Sequence, residues 1–266
     1  MGPDPRVCVT GAGGQLGRAL RVTLPPARFL DHAALDVCDR AAVGRELGGC
    51  DLVVHAAAFT DVDGCERDPV TALAVNGEGA ANVAATGCRV IMVSTDYVFA
   101  GRKRGEYGER DRPAPINAYG RSKLEGERAV LAHPGNLVVR TSWLFGEGRN
   151  FIRSIVAADR AGRELRVVDD QRGRPTAAAD LAAAIAHLCG RDDGGILHVA
   201  GDGPPCSWAD LAELVVGRPV SRISSRSLAA AAPRPRNSAL ALDRARSLGV
   251  PLADWRNSVR TYVEAL

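Results

Sequence analysis

The stretch Arg6-Val-Cys-Val-Thr10-Gly11-Ala-Gly-Gly14-Gln-Leu-Gly17 joins a strand-like apolar run to a helical pattern through a turn made largely of glycine. Glycines there permit a tight turn and let backbone N–H groups approach a pyrophosphate, which a helix N-terminus favours electrostatically. The G-x-G-x-x-G frame fails because Leu16 takes its last glycine position, whereas Gly11, Gly14 and Gly17 fit G-x-x-G-x-x-G. With Gln15 and Leu16 between them, these glycines form a candidate dinucleotide site.

Outward from this turn, apolar runs alternate with helical patterns. Arg6 to Thr10, Arg28 to Asp31, Asp51 to Ala57, Arg89 to Ser94 and Asn136 to Thr141 read as strands. Gly14 to Leu24, Ala41 to Leu47, Pro69 to Thr86 and Pro115 to His133 read as helices. Strand and helix in turn imply an α/β fold, a doubly wound parallel sheet of the Rossmann kind with right-handed crossovers. Residues 1–142 are the expected dinucleotide-binding domain.

After about Ser142 the alternation weakens, although Leu165 to Val168, Ala177 to Leu188, Ile196 to Val199 and Ser207 to Val216 still read as mixed strand and helix. Residues 143–266 are expected to form a smaller, mixed α/β substrate lobe with C-terminal helices over the sheet's carboxyl edge. Segments such as 165–190 are candidates to rejoin the sheet. Ala229 to Arg236, rich in Ala, Pro and Arg, reads as an exposed loop.

Composition narrows the function classes. At 266 residues, 46% hydrophobic and 24% charged, the chain has the make-up of a globular enzyme. Its net charge of +3, without arginine runs interleaved with aromatics, argues against nucleic acid as a partner. Seven cysteines make an odd total without C-x-x-C or metal spacing, and several lie in apolar settings typical of buried free thiols, which suggests a reducing compartment. The start, Met1-Gly-Pro-Asp-Pro-Arg6, runs into a strand with no signal peptide, and no run approaches 18 apolar residues, so the reading is cytoplasmic with no membrane partner.

Tyr119 and Lys123 are four residues apart in Tyr119-Gly-Arg-Ser-Lys123, and Lys123 is one of two lysines against 32 arginines. Four tyrosines and two lysines in 266 positions would give about 0.03 such pairs by chance. On a helix, residues i and i+4 share a face with Cβ atoms about 5–6 Å apart. An ammonium beside a phenol favours phenolate and lowers its pKa from about 10, making a general acid or base. For an isolated pair, a solvated helix face with a snorkelling lysine is the competing reading.

Other candidates sit at strand ends. Asp31, twenty residues beyond Gly11, stands where a carboxylate binds the adenosine ribose and repels a 2′-phosphate, which favours NADH over NADPH. A solvated turn aspartate is the alternative. Ala56-Ala57-Ala58-Phe59-Thr60 places small residues where a nicotinamide ribose would pass. Ser94-Thr95-Asp96-Tyr97-Val98-Phe99 brings hydroxyls to the carboxyl edge, where Thr95 could polarise a carbonyl while Tyr119 supplies the proton.

These pieces together resemble the extended short-chain dehydrogenase/reductases, and within them the dTDP-4-dehydrorhamnose reductase family. The matching motifs run nearly end to end. They are Gly11 to Gly17, Leu35-Asp36-Val37, Ala56 to Asp63, Ser94 to Gly101 and Pro115-Ile-Asn117-Ala-Tyr119-Gly. Arg140-Thr-Ser-Trp143, Asn150-Phe151, Val168 to Thr176 and Arg234-Pro-Arg-Asn-Ser238 continue the series. The resemblance implies a catalytic triad of Thr95, Tyr119 and Lys123, with hydride passing from the nicotinamide to a sugar C4 ketone. It implies cofactor contacts from Gly11, Gly14, Gln15, Leu16, Gly17, Asp31, Asp36, Val37, Ala56, Ala57, Ala58, Thr60, Ser94, Tyr119 and Lys123. Val62, Thr95, Tyr97, Tyr119, Trp143, Gln171, Pro175 and Thr176 would meet the sugar nucleotide, although Trp143 also suits a core and Pro175 a turn. Asp169 and Asp170 read as solvated or capping residues as readily as catalytic ones. The implied cofactor is NAD(P)H and the substrate a dTDP-4-keto-6-deoxysugar, foremost dTDP-4-dehydro-L-rhamnose.

Departures limit the analogy. His55 replaces an asparagine of many relatives and reads as a buried, hydrogen-bonded strand histidine. Where some relatives place a magnesium-binding acid, this chain has Arg18-Ala-Leu20, so neither Mg2+ nor that dimer is expected, and the chain reads as a monomer or homodimer. Related sugar nucleotide dehydratases carry Thr-Asp-Glu at the fourth strand, and Tyr97 in the glutamate place argues against that activity. A dTDP-dihydrostreptose synthase-like reductase, a sugar nucleotide epimerase and a non-catalytic regulatory subunit remain as alternatives.

Overall fold

Six parallel strands organise the chain. The computed structural model describes residues 6–228 and 230–266; the readings on Met1 to Pro5 and on Ala229 lie outside the described residues. Strands β1 (Val7–Thr10), β2 (Arg28–Leu30), β3 (Leu52–His55), β4 (Arg89–Thr95) and β5 (Leu137–Thr141) are joined by the strand Gly195–His198. Their order is Gly195–His198, β5, β4, β3, β1, β2, a doubly wound arrangement of the expected class.

The strands read as unbroken apolar runs because both sheet faces are covered. Successive side chains point to opposite faces, so Ile91 packs with Leu20, Leu181 and Leu197 on one side while Val90 and Met92 pack with Val43, Val83 and Val130 on the other. Helices α1 (Gln15–Thr23), α2 (Arg40–Leu47), α3 (Val62–Arg67), α4 (Pro69–Leu73), α5 (Gly79–Ala84) and α6 (Ala118–Leu131) fall between the first five strands. Further on come α7 (Phe151–Arg160), α8 (Ala178–Cys189) and α9 (Trp208–Val216). Helix α8 packs against α1, and the strand Gly195–His198 extends the sheet beside β5, so this part of the C-terminal half is built into the first layer system.

A second core holds the remainder, with Phe145, Ile152, Val167, Leu211, Trp255 and Val259 buried together. Its strands are short pairs: Leu144–Phe145 with Thr176–Ala177, Arg166–Val168 with Ser221–Ile223, and Arg172–Gly173 with Cys206–Ser207.

Two expectations are corrected. Cys8 and Cys50 are joined in a disulfide, and Cys38, Cys65, Cys88, Cys189 and Cys206 are free. The pairing follows from register, because β1 and β3 are neighbours and Cys50 lies just ahead of β3, 6.5 Å from Cys8 between Cα atoms. The segment read as an exposed loop is partly interior: Ala232 and Pro235 are buried, and Arg234 forks onto Asp63 through two bonds of 2.7 Å.

Candidate active site

Strand order reverses between β1 and β3, and in such sheets ligands bind outside the carboxyl ends at that point. Here that place is a cavity of ≈ 690 Å3 that runs from the glycine turn past the ends of β3 and β4 to Trp143 and Trp208. Gly11 has φ +71°, and a Cβ there would lie 2.5 Å from Ala57 N, so only glycine lets the two loops meet. This cradle, lined by backbone at the N-terminus of α1, fits the phosphates of a dinucleotide.

The loop after β3 is held by Asn76, in a π-helical turn (Ala74–Glu78) between α4 and α5. Asn76 accepts from Phe59 N–H at 2.8 Å and donates to Phe59 O at 3.0 Å and to Ser122 Oγ at 2.9 Å. One buried amide thus ties the Ala56–Phe59 segment to α6.

Helix α6 carries Tyr119 and Lys123. The Asn117 side chain caps it, accepting from Gly120 N–H at 2.8 Å, and Gly120 lies so close to Tyr97 that any Cβ would collide with the Tyr97 carbonyl. This contact sets the first turn of α6 on the segment after β4. Tyr119 therefore faces the Thr95 hydroxyl and packs edge-on against Tyr97, ring centroids 6.1 Å apart.

Lys123, one turn on, is only 3% exposed and donates Nζ to Val93 O at 2.8 Å. Burial lowers its pKa to about 8, against the pull of Glu127, which favours the ammonium. Glu127 accepts from Arg140 Nε at 2.8 Å and Nη2 at 2.6 Å, and from the Ser94 hydroxyl at 2.6 Å. A buried file of charge thus lies directly beneath the cavity.

The expected lowering of the Tyr119 pKa is not what this geometry produces. Burial pushes the phenol above its ordinary range, hydrogen bonding with Thr95 opposes the shift, and the Asp96 charge adds to it. Lys123 directs its Nζ to a backbone carbonyl instead. Tyr119 is consequently protonated at neutral pH, the form in which a general acid must stand.

Asp96 completes the centre. It is 2% exposed, its Oδ1 lies 3.1 Å from Thr95 Oγ1, and its Oδ2 is buried without a partner. Burial raises its pKa to about 7, opposed by hydrogen bonding with Ser238 and Thr95.

Known proteins resemble this chain over nearly its full length. A family model described as the RmlD substrate binding domain matches residues 5–266. A dTDP-4-dehydrorhamnose reductase of Sinorhizobium fredii (strain NBRC 101917 / NGR234) is 38% identical over 289 residues, covering 98% of this chain and 97% of that one. The chain belongs to the dTDP-4-dehydrorhamnose reductase family. A probable dTDP-4,6-dihydroxy-2-methyloxan-3-one 4-ketoreductase of Streptomyces antibioticus is 41% identical over 281 residues, covering 96% of this chain and 93% of that one. The crystal structure of dTDP-4-dehydrorhamnose reductase from Bacillus anthracis in complex with NADP superposes with a TM-score of 0.92 at 34% identity, covering 98% of this chain and 99% of that one.

Within this reductase fold the cavity gathers most of the residues singled out from the sequence. Gly11, Gly14, Gln15, Leu16, Gly17, Asp36, Val37, Ala56, Ala57, Ala58, Thr60, Val62, Ser94, Thr95, Tyr97, Tyr119, Lys123 and Trp143 all line it. Asp31, Gln171, Pro175 and Thr176 do not line it. The Asp31 carboxylate accepts from Ala34 N–H at 3.0 Å through Oδ1. Pro175 and Thr176 are buried, and Thr176 bonds the Trp143 carbonyl through its N–H at 3.2 Å and Gly201 N–H through its hydroxyl at 3.3 Å. They support Trp143 from below. His55 is bonded to Thr10 Oγ1 at 2.8 Å through Nδ1, but its Nε2 is buried and unpartnered. Burial and the Lys123 charge lower its pKa to about 3, so it is neutral.

Sequence reasoning passed over Asp96, Arg149 and Trp208, all of which line the cavity. Trp208 stacks on Trp143 with centroids 3.6 Å apart, and Trp143 holds a left-handed φ of 47° to do so. The available signal was Ser207-Trp-Ala-Asp210, a capping box at the start of α9 that fixes Trp208 in the first helical turn.

Proposed function

We propose that this chain is an NAD(P)H-dependent reductase of a dTDP-4-keto-6-deoxysugar, foremost dTDP-4-dehydro-L-rhamnose, which it converts to dTDP-L-rhamnose. The observation that carries this reading is the meeting of Thr95, a protonated Tyr119 and a buried Lys123 at one cavity, in a chain of this family. When bound, the reduced nicotinamide supplies hydride. The chain's residues do the rest: Thr95 and Tyr119 face the oxygen on which charge develops, and Tyr119 delivers the proton. Lys123 presents its charge to the cofactor ribose, and Glu127 behind it sustains that charge.

The stacked Trp143 and Trp208, with Tyr97 and Val62, would bound the sugar nucleotide side. The Bacillus anthracis enzyme was crystallised with NADP, and in this reading NADPH is as acceptable as NADH. No helix among the described residues is long and apolar enough to cross a membrane, and we place the enzyme in the cytoplasm as a monomer or homodimer. Sedimentation of the purified protein tests the last point.

Purified protein, dTDP-4-keto-L-rhamnose and NADPH or NADH should consume cofactor and yield dTDP-L-rhamnose by NMR. Tyr119→Phe should lower kcat by about 10²–10⁴. No oxidation of either cofactor sinks the rhamnose assignment, and undiminished turnover in the variant sinks the proposed acid. The 41% identity to the Streptomyces antibioticus protein favours one second reading, a 4-ketoreductase of another deoxysugar, which turnover of a different dTDP-4-ketosugar at higher kcat/KM would establish.

A further inference from the structure

We infer that Asp96 is a positioning residue for the reduction, its protonated carboxyl donating to Thr95 so that the Thr95 proton is left free for the ketone oxygen of the substrate. This inference rests on the reductase reading above. It follows from counting protons around one hydroxyl. Threonine Oγ1 has one proton to give and two lone pairs with which to accept. In this site Thr95 Oγ1 accepts from Tyr97 N–H at 3.1 Å, lies 3.1 Å from Asp96 Oδ1 and hydrogen-bonds Tyr119, a contact that Tyr119 exchanges for the ketone oxygen when substrate binds. If Asp96 is a carboxylate it can only accept, so it takes the single Thr95 proton and leaves Thr95 nothing to offer a substrate. If Asp96 is a neutral acid it can donate to the second lone pair, and the Thr95 proton is released toward the cavity.

The surroundings favour the neutral acid. Asp96 is 2% exposed and its Oδ2 is buried with no partner within hydrogen-bond distance, so the cost of desolvating a carboxylate outweighs the hydrogen bonding with Ser238, Thr95 and the backbone of Asp96 and Tyr97 that favours it. Tyr97 on its own turn and Tyr119 from α6 face it, and Ser238 approaches from the C-terminal segment. Arg234 lies against Tyr97 but is committed to Asp63 of α3, and Lys123 of α6 points to the Val93 carbonyl. No cation among the described residues hydrogen-bonds Asp96. Burial accordingly raises its pKa to about 7.

The test compares Asp96→Asn, whose amide donates at every pH, with Asp96→Ala, which cannot donate. Wild-type kcat should fall about tenfold per pH unit above the Asp96 midpoint near 7. Asp96→Asn should keep near-wild-type kcat at pH 6 and lose that limb, retaining only the later fall through Lys123. Asp96→Ala should lose on the order of tenfold or more in kcat at every pH. An Asn variant as impaired as the Ala variant, or one with the wild-type pH profile, overturns the inference. A second readout needs no turnover: in protein labelled at the aspartate carboxyl carbon, the signal that vanishes in Asp96→Asn should titrate near pH 7. A midpoint below 5 overturns the inference even if the sugar assignment stands. An inactive wild type with a midpoint near 7 sinks the sugar assignment alone.

Discussion

Replacing Glu127 with glutamine should damage this protein far more than its near-identical shape suggests. Both members of the Glu127–Arg140 pair are almost wholly buried, with side chains 2% and 1% exposed. The carboxylate takes two guanidinium bonds and the Ser94 hydroxyl, while Arg140 Nη1 already lacks a partner and the guanidinium lies 5.1 Å from the Phe99 ring centroid. Glutamine supplies one acceptor in place of two and turns an amide donor toward a cation. Breaking a buried pair from one side costs about 3–5 kcal/mol, because the remaining charge is left uncompensated. Against a total stability of roughly 5–15 kcal/mol, and at roughly 2–4 °C per kcal/mol, the melting temperature should fall by about 10 °C. Lys123 also loses the charge that opposes its desolvation, so cofactor affinity should weaken more at pH 8 than at pH 6. Denaturant unfolding and fluorescence titration measure the two effects. A stability loss under about 1 kcal/mol refutes the reasoning. So does a double variant, Glu127→Leu with Arg140→Met, that is no more stable than Glu127→Gln, since removing both charges should recover most of the loss.

Three further outcomes are expected. Gly11→Ala must hold a left-handed conformation at about 1–2 kcal/mol and push against the Ala56–Ala57 peptide, so melting temperature and NADPH affinity should fall together; affinity unchanged in calorimetry would contradict the close approach. Folding lowers the Lys123 pKa to about 8 from an ordinary value of about 10.4. The folded chain thus holds that proton less tightly, and this group's contribution to stability should rise between about pH 8 and pH 10. Cofactor affinity, which uses the ammonium, should fall over the same interval, and parallel trends in the two measurements would be inconsistent with a ribose contact. Trp208→Ala removes a stacked partner worth about 0.5–1.5 kcal/mol beyond its burial, and should raise the KM for the sugar nucleotide several-fold with little change for NADPH.

The sheet was legible because strands covered on both faces leave unbroken runs such as Leu52 to His55 and Leu137 to Thr141. The glycine turn and the i,i+4 pair on α6 were legible because their geometry is local. What escaped was decided by distant neighbours. Nothing near Asp31 in sequence shows that its carboxylate will accept from Ala34 N–H, and the depth of burial that keeps Tyr119 protonated is a property of packing. Pro175 and Thr176 stand one strand pairing away from Trp143, so their motif spoke of support rather than contact. Asp96 sat in plain view within Ser94 to Phe99, yet its part depends on the unpartnered Oδ2, which only the surrounding structure reveals. The Cys8–Cys50 bridge depended on register between neighbouring strands, which an odd cysteine count conceals.

The segment after Ala229 braces α3 and the start of α6. Arg234 holds Asp63, Pro233 O accepts from the Asn117 amide at 2.9 Å beside the start of α6, and Tyr107 exchanges backbone bonds with Ala239 and Ala241 at 2.7 and 2.8 Å. All of these belong to chain made after every strand of the sheet. During synthesis the glycine turn, Thr95, Tyr119 and Lys123 therefore leave the ribosome well before the residues that anchor α3 and the cap of α6. A nascent or clipped chain ending near residue 228 carries each catalytic side chain and still lacks the brace around them.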